Sequence, residues 1–300
     1  MIERGFTPVV AGVALWMCGA LTGFCVLTVS LRALSARFSI FELLAVRSLF
    51  GLVIVASVAL ALAERRTVLV SARPVLHLVR NVVHLAATYL WSLGVIILPL
   101  ATVFALEFTA PAWVALFAVL FLGERMTSSR VAAVVLGLLG VLVILRPGLE
   151  SFQPATLVVL LSAMGLAISL VVQKRLTATD STLCILFWMS AIQLSLCAAG
   201  VIATGDPGFP MKFRMSDAPA VIGLGLGGLA AHYCLTNAFR LGDAVIVVPL
   251  DFLRIPLIAL VGFFVYAEPL DPLVFMGSGL IIAGILWNLV AEAAARRNEK

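Results

Sequence analysis

The chain has 300 residues, of which 63% are hydrophobic and 12% charged, against about 25% charged in an ordinary soluble domain. That much apolar surface has no way to face water, which excludes a water-soluble fold. The net charge of +5 arrives without a basic stripe interleaved with aromatics, which argues against nucleic acid; excess Lys and Arg instead mark the loops on one side of a bilayer.

Taken in chain order, apolar runs separated by charge, Gly or Pro predict ten membrane-crossing helices: 7–31, 40–63, 74–97, 99–122, 128–145, 154–172, 182–204, 218–241, 244–267 and 272–290. Each approaches the roughly 20 residues that cover the hydrocarbon core. The first run exceeds the roughly 7–15 apolar residues of a signal-peptide core and reads as a retained helix. The third and fourth spans join at Leu98-Pro99 with almost no loop, and the eighth and ninth near Gly242-Asp243. The longest loop, 205–216, is too short to be a domain. Any function therefore resides in the helices and their short connections. Cys18, Cys25, Cys184, Cys197 and Cys234 all lie in apolar runs without CxxC or zinc spacing, so they read as reduced packing residues.

Orientation follows from the basic residues. Arg4, Arg65, Arg66, Arg73, Arg125, Arg130, Lys174, Arg175, Arg240, Arg296, Arg297 and Lys300 fall on the side of the N-terminus, against Arg32, Arg37, Arg146, Lys212 and Arg214 on the other. Both termini are expected to be cytoplasmic.

The chain also resembles itself. At one constant offset, His84-Leu-Ala-Ala-Thr-Tyr89 lies over Gly228-Leu-Ala-Ala-His-Tyr233, Glu107-Phe108 over Asp251-Phe252, Gly123-Glu124 over Ala267-Glu268, and Gly140 over Gly284. Pro111 and Pro256 fall one residue out of register. The expected domains are 1–148 and 149–300, each with five helices. Five crossings reverse polarity, so the halves form inverted-topology repeats around a central cavity, a plan suited to alternating access in secondary transporters.

The segment Ala110-Pro-Ala-Trp-Val-Ala-Leu-Phe-Ala-Val-Leu-Phe-Leu-Gly-Glu-Arg125 resembles the fourth-helix signature of the drug/metabolite transporter superfamily, in its bacterial EamA-type branch. The run Val135-Leu-Gly-Leu-Leu-Gly-Val-Leu-Val-Ile-Leu145 is similar to that branch's glycine-rich fifth helix. Ala267-Glu268 and Gly277-Ser-Gly-Leu-Ile-Ile-Ala-Gly284 repeat both, with Ala267 where the signature has Gly. Arg47 matches an arginine common on the second helix. The resemblance covers nearly the whole chain and implies a multi-pass protein of the bacterial cytoplasmic membrane. It implies export of amino acids, aromatic amino acids among them, or of related metabolites. Nucleotide sugars are an alternative cargo within the superfamily. No cofactor or metal is expected, and the expected partners are a small-molecule substrate and lipid.

Ionisable groups at membrane depth are costly and either pair or line a polar cavity. Glu107 and Asp251, at equivalent positions, are candidates for proton coupling or for a buried salt bridge with Arg254 or Arg47. On the third helix His77, Arg80, His84 and Thr88 form one stripe, with Arg80 suited either to a substrate carboxylate or to snorkelling at the cytoplasmic end, and His84 to substrate contact, pH sensing or hydrogen-bonded packing. His232, Tyr233, Thr236 and Asn237 form a second polar cluster matching Thr88-Tyr89 across the repeat. Trp113 and Tyr89 complete the candidate substrate contacts, while Pro111 and Pro256 are candidate bending points for gating. Gly19-xxx-Gly23 and Gly223-xxx-Gly227 permit close helix approach.

No GxxxxGK[ST] loop, HExxH pair or Ser-His-Asp set is present, so the chain reads as a transporter and not as an enzyme. The competing classes are a membrane-embedded lipid-modifying enzyme, which needs an acid/base cluster at the interface, and a channel, which needs a ring of pore-lining groups.

Overall fold

The structure, a computed structural model, describes residues 3–61, 69–110, 112–114, 116–117, 127–145, 153–176, 179–204, 208–241, 250–251 and 253–298. All regular structure among the described residues is helical. Ten helices follow the ten predicted spans: α1 (Glu3–Leu34), α2 (Ile40–Ala61), α3 (Pro74–Ile97), α4 (Leu100–Glu107), α5 (Ser128–Leu145), α6 (Ala155–Leu176), α7 (Thr182–Ala203), α8 (Ala218–Leu241), α9 (Arg254–Tyr266) and α10 (Pro272–Asn298). A short turn, Phe209–Lys212, precedes α8.

Among the described residues, five stretches are long and apolar enough to cross a membrane: Gly12–Leu34, Ile40–Ala61, Ala155–Gln173, Thr182–Ala203 and Met215–Leu235. Shorter apolar helices cover α5, α9 and α10 and run from Leu100 to Val114. α3 has the length but carries His77, Arg80, Asn81 and His84, all buried. Outside the bundle the usual pattern is reversed: Leu15, Ile202 and Phe264 are each at least 75% exposed, as lipid-facing side chains are.

Local chemistry sets the ends. Ser39 and Glu42 make a reciprocal cap at the start of α2, with Ser39 N–H donating to Glu42 Oε2 at 2.8 Å and Glu42 N–H to Ser39 Oγ at 3.3 Å. Ser181 accepts from the Cys184 amide at the start of α7. Pro74 opens α3, where its missing N–H costs no helical bond. Pro99 separates α3 from α4.

The closest helix pairs map onto one another when the two halves are exchanged. α1 packs most closely on α8, and α3 on α6; α2 packs on α7, α5 on α10 and α4 on α9. Under the pairing α1 with α6, α2 with α7, α3 with α8, α4 with α9 and α5 with α10, this set maps onto itself. The α5–α10 seam shows it at atomic scale. A Cβ on Gly140 would lie 2.5 Å from the Gly277 carbonyl oxygen, and one on Gly284 would lie 3.1 Å from Ala133 Cα. Those two contacts are repeat equivalents of each other. In the α1–α8 seam Gly23 faces Gly227 O and Ala231 N at 2.8–2.9 Å from its would-be Cβ, so the two GxxxG motifs meet.

The two ends of α3 mark two opposite faces. At its C-terminal face, Arg32 donates to Glu268 Oε1, to Val95 O at 2.6 Å and to Leu98 O, while Glu268 Oε2 accepts from the Leu100 amide at 2.8 Å. Arg37 pairs with Asp217 at 2.6 Å and Lys212 with Glu42 at 2.9 Å. At its N-terminal face His77 Nε2 lies 2.7 Å from Asp180 Oδ2, which also accepts from Ser71 Oγ at 2.5 Å.

Candidate functional site

Between these faces, α1 to α4 and α6 to α8 surround a central cavity. It comprises two adjoining pockets that share Arg47, His84 and His232. One extends along Ser48, Gly51, Ser190 and Gln193, the other along Phe24, Thr88, Trp91 and Glu107. Polar groups at this depth are held by one another.

The first chain of contacts is Arg47 Nη2 donating to Gln193 Oε1 at 3.0 Å, with Gln193 Nε2 at 2.8 Å from His84 Nδ1. Thr88 returns its hydroxyl proton to His84 O at 2.7 Å. The second chain runs through Arg254, which binds Asp251 Oδ2 at 2.7 Å and Glu107 Oε1 at 3.4 Å. Trp91 Nε1 donates to Glu107 Oε2 at 2.8 Å. The guanidinium is also packed over the rings of Phe24, Phe108 and Phe104, 4.1, 4.9 and 5.5 Å from their centroids. With both carboxylates ionised, one guanidinium faces two negative charges, which leaves room for a proton or a cationic ligand.

Backbone breaks place these groups. α4 ends at Glu107, and residues 108–109 form a turn before helix resumes at Ala110. The second half breaks likewise: 250–251 are helical, Leu253 is a turn and α9 begins at Arg254. Glu107 therefore sits at the tip of an interrupted helix and Asp251 just before the start of α9, positions where free backbone groups and side chains converge in transporter folds. Pro111, the candidate bending point in the first half, lies outside the described residues. Pro256 is the third residue of α9, in the first turn where proline is tolerated, so the discontinuity lies just before it.

The family match now closes the argument, covering residues 11–146 and again 153–290. The chain belongs to the EamA-like transporter family. Among curated relatives, an S-adenosylmethionine uptake transporter of Rickettsia felis is 26% identical over 78% of this chain and 79% of its own length. A riboflavin transporter of Rhizobium johnstonii is 29% identical over 74% and 72%. A pseudopaline exporter of Pseudomonas aeruginosa is 28% identical over 63% and 66%. A solved crystal structure superposes with a TM-score of 0.65 over 96% of this chain and 98% of its own, at 21% identity, and shares the fold. This EamA-like chain is a multi-pass membrane protein and a secondary transporter of small metabolites.

Within the EamA-like fold the sequence-predicted residues separate into two groups. Arg47, His84, Glu107 and His232 line the cavity, and Asp251 and Arg254 stand behind Glu107. Arg80 is 4% exposed and is taken up by Gln173 at 2.7 Å and Asn81 at 3.2 Å. Tyr89 stacks at a tilt on Phe41, 4.9 Å between centroids. Tyr233 is 54% exposed and meets Trp16 edge to face, and Asn237 donates back to Tyr233 O at 2.9 Å. Thr88 and His232 turn inward while Tyr89 and Tyr233 turn away, because successive helical residues are rotated by about 100°. Trp113 donates to Thr109 Oγ1 at 3.2 Å and lines a separate apolar pocket of about 370 Å³ against α5. The Thr236 side chain and Gly123-Glu124 lie outside the described residues.

The sequence reading missed Gln193, Trp91 as the partner of Glu107, Phe24 beneath Arg254, and Asp180. Asp180 lies in the α6–α7 connection beside His77 and Cys184, with candidate ligand atoms within 4.8 Å of one another. Its Oδ2 already accepts from Ser71 and His77, so the group forms a hydrogen-bonded strut across that face. Burial raises the Asp180 carboxyl, but the hydrogen bonds from Ser71 and His77 and the His77 charge outweigh it and hold it below the usual carboxylate range.

Proposed function

We propose that this transporter carries small zwitterionic metabolites of the amino-acid type by alternating access. The observation that carries the reading is that Arg47 and Glu107 line the same central cavity. A guanidinium binds a carboxylate strongly and directionally. Glu107 is held by Arg254 only at 3.4 Å, while Asp251 holds the same guanidinium at 2.7 Å. A substrate ammonium therefore competes with Arg254 for Glu107, and Arg254 keeps Asp251 as its partner during the exchange. Phe24, Trp91 and Leu166 supply apolar wall for a side chain. A proton is the alternative occupant of Glu107 in the empty carrier, which would couple export to the proton gradient. The repeat-symmetric packing supports a cycle in which the halves trade conformations, and such a cycle runs in either direction with the gradients.

The test is counterflow in proteoliposomes. Preloaded amino acids with both charges, aromatic ones included, are expected to accelerate uptake of the labelled compound saturably. The corresponding decarboxylated amines and N-acetylated acids are expected to fail. Exchange of riboflavin in the absence of exchange of any zwitterion would overturn the proposal.

A further inference from the structure

The Arg47–Gln193–His84 chain has a directionality that distances alone do not show. Arginine has only donors, so Gln193 must turn its carbonyl oxygen, Oε1, toward Arg47 Nη2, as it does at 3.0 Å. The amide nitrogen is then committed to the other side, 2.8 Å from His84 Nδ1. An amide NH₂ offers only protons, so Nδ1 has to receive one and carries none of its own. Thr88 does not change this: its single proton goes to His84 O at 2.7 Å, and its oxygen stands 3.4 Å from Nδ1.

Resting on the zwitterion reading of the cavity, we infer that Gln193 is a positioning residue that fixes His84 as the neutral tautomer protonated at Nε2, so that Arg47 and His84 act together as a donor pair for the substrate carboxylate. The imidazole lines both pockets of the cavity. Gln193 is 1% exposed, and its amide is held by those two contacts. The groups that face His84 from the packed helices are Arg47 on α2, Gln193 on α7 and His232 on α8, with Arg80 one turn away on α3; each carries an N–H donor, and the two arginines add positive charge. Such a surrounding favours an acceptor-rich, anionic group on the substrate. Gln193 thereby acts on specificity through another residue, since both ends of its amide are held by Arg47 and His84.

The chain contains three histidines, His77, His84 and His232, which makes the tautomer directly readable. In ¹⁵N-histidine-labelled protein in detergent, the signals lost in His84→Phe identify His84. The wild-type protein is expected to show a protonated Nε2 and an unprotonated Nδ1. Gln193→Glu replaces the donor by an acceptor and is expected to move the proton to Nδ1. Gln193→Leu is expected to give a mixture, with KM for the carboxylate-bearing substrate raised about tenfold, the worth of about 1.4 kcal/mol, and turnover little changed. A proton on Nδ1 in the wild type overturns the inference and leaves the zwitterion reading standing. The expected tautomer in a carrier that exchanges no carboxylate-bearing compound overturns that reading instead.

Discussion

Glu107 and Asp251 occupy equivalent places in the two halves, but they hold different neighbours. Asp251 grips Arg254 at 2.7 Å and lies behind the cavity wall, whereas Glu107 reaches Arg254 only at 3.4 Å, takes a hydrogen bond from Trp91 and faces the cavity. Removing one partner of a buried pair costs about 3–5 kcal/mol, because the remaining charge is left uncompensated. Asp251→Asn is therefore expected to destabilise the protein by a cost near that range and to lower its unfolding temperature in detergent clearly. Glu107→Gln keeps an acceptor for Trp91 Nε1, so its stability loss is expected to be about 1 kcal/mol, while counterflow of zwitterions collapses. An inverted ranking, with Glu107→Gln unfolding first and Asp251→Asn losing transport, would assign the substrate contact to the wrong carboxylate. These ionisable residues were legible in the sequence because a charge in an apolar run has few explanations. Gln193 was not, since a neutral amide carries little of that cost and its value lies in two partners, Arg47 and His84, on other helices.

At the scale of elements, the same logic separates what periodicity can reach from what it cannot. The order of the helices and the repeat register were readable, with Gly140 over Gly284 among the matches. Which helix each glycine faces required the three-dimensional pairing of α5 with α10. A Cβ on Gly140 would stand 2.5 Å from the Gly277 carbonyl oxygen, with Ile281 Cγ1 at 2.7 Å. Backbone cannot yield as a flexible side chain does, so Gly140→Ala is expected to cost about 1–3 kcal/mol, typical of overpacking, measured as a lower unfolding temperature. Ala267 presents the opposite case. It stands where the family signature has Gly and terminates α9 with φ 54° and ψ 33°, a left-handed conformation that costs a residue bearing Cβ about 1–2 kcal/mol. Part of that gain is offset by the extra unfolded-state freedom of glycine. Ala267→Gly is therefore expected to stabilise by roughly 0.5–1 kcal/mol, and a lower unfolding temperature for this variant would contradict the strain argument. The breaks beside Glu107 and Asp251 were only half legible: the prolines flagged the two helices, but the turn falls before each proline, where the side chains of the charged cluster need it.

For the whole molecule, the proposed alternating access requires each face to close and open in turn, and the contacts that tie the faces are unequal. One face is tied by Arg32 with Glu268, Arg37 with Asp217 and Lys212 with Glu42; the other, about 36 Å away along the 24 residues of α3 at 1.5 Å per residue, is tied by Asp180 with His77 and Ser71. The Asp180 carboxyl is held below its ordinary value, so its contribution to stability is fully present above the unfolded carboxylate value of about 3.9 and is lost as pH falls through the lower folded value. Titration of Asp180 therefore does not release that strut in the neutral range. Access to the cavity can be read with a cysteine at Thr88, which lines it, in a chain whose native cysteines are replaced. Glu268→Gln removes the charge that pairs with Arg32 and leaves one acceptor oxygen where the Leu100 amide and Arg32 now have two. It is expected to raise labelling of that cysteine by an impermeant thiol reagent supplied from the Arg32 side, and Asp180→Asn to raise it from the His77 side. Under alternating access each gain is accompanied by reduced labelling from the opposite side, because opening one face draws population from states open at the other. Labelling that rises from both sides in either variant would describe a loosened bundle or an open pore in place of two exchangeable halves.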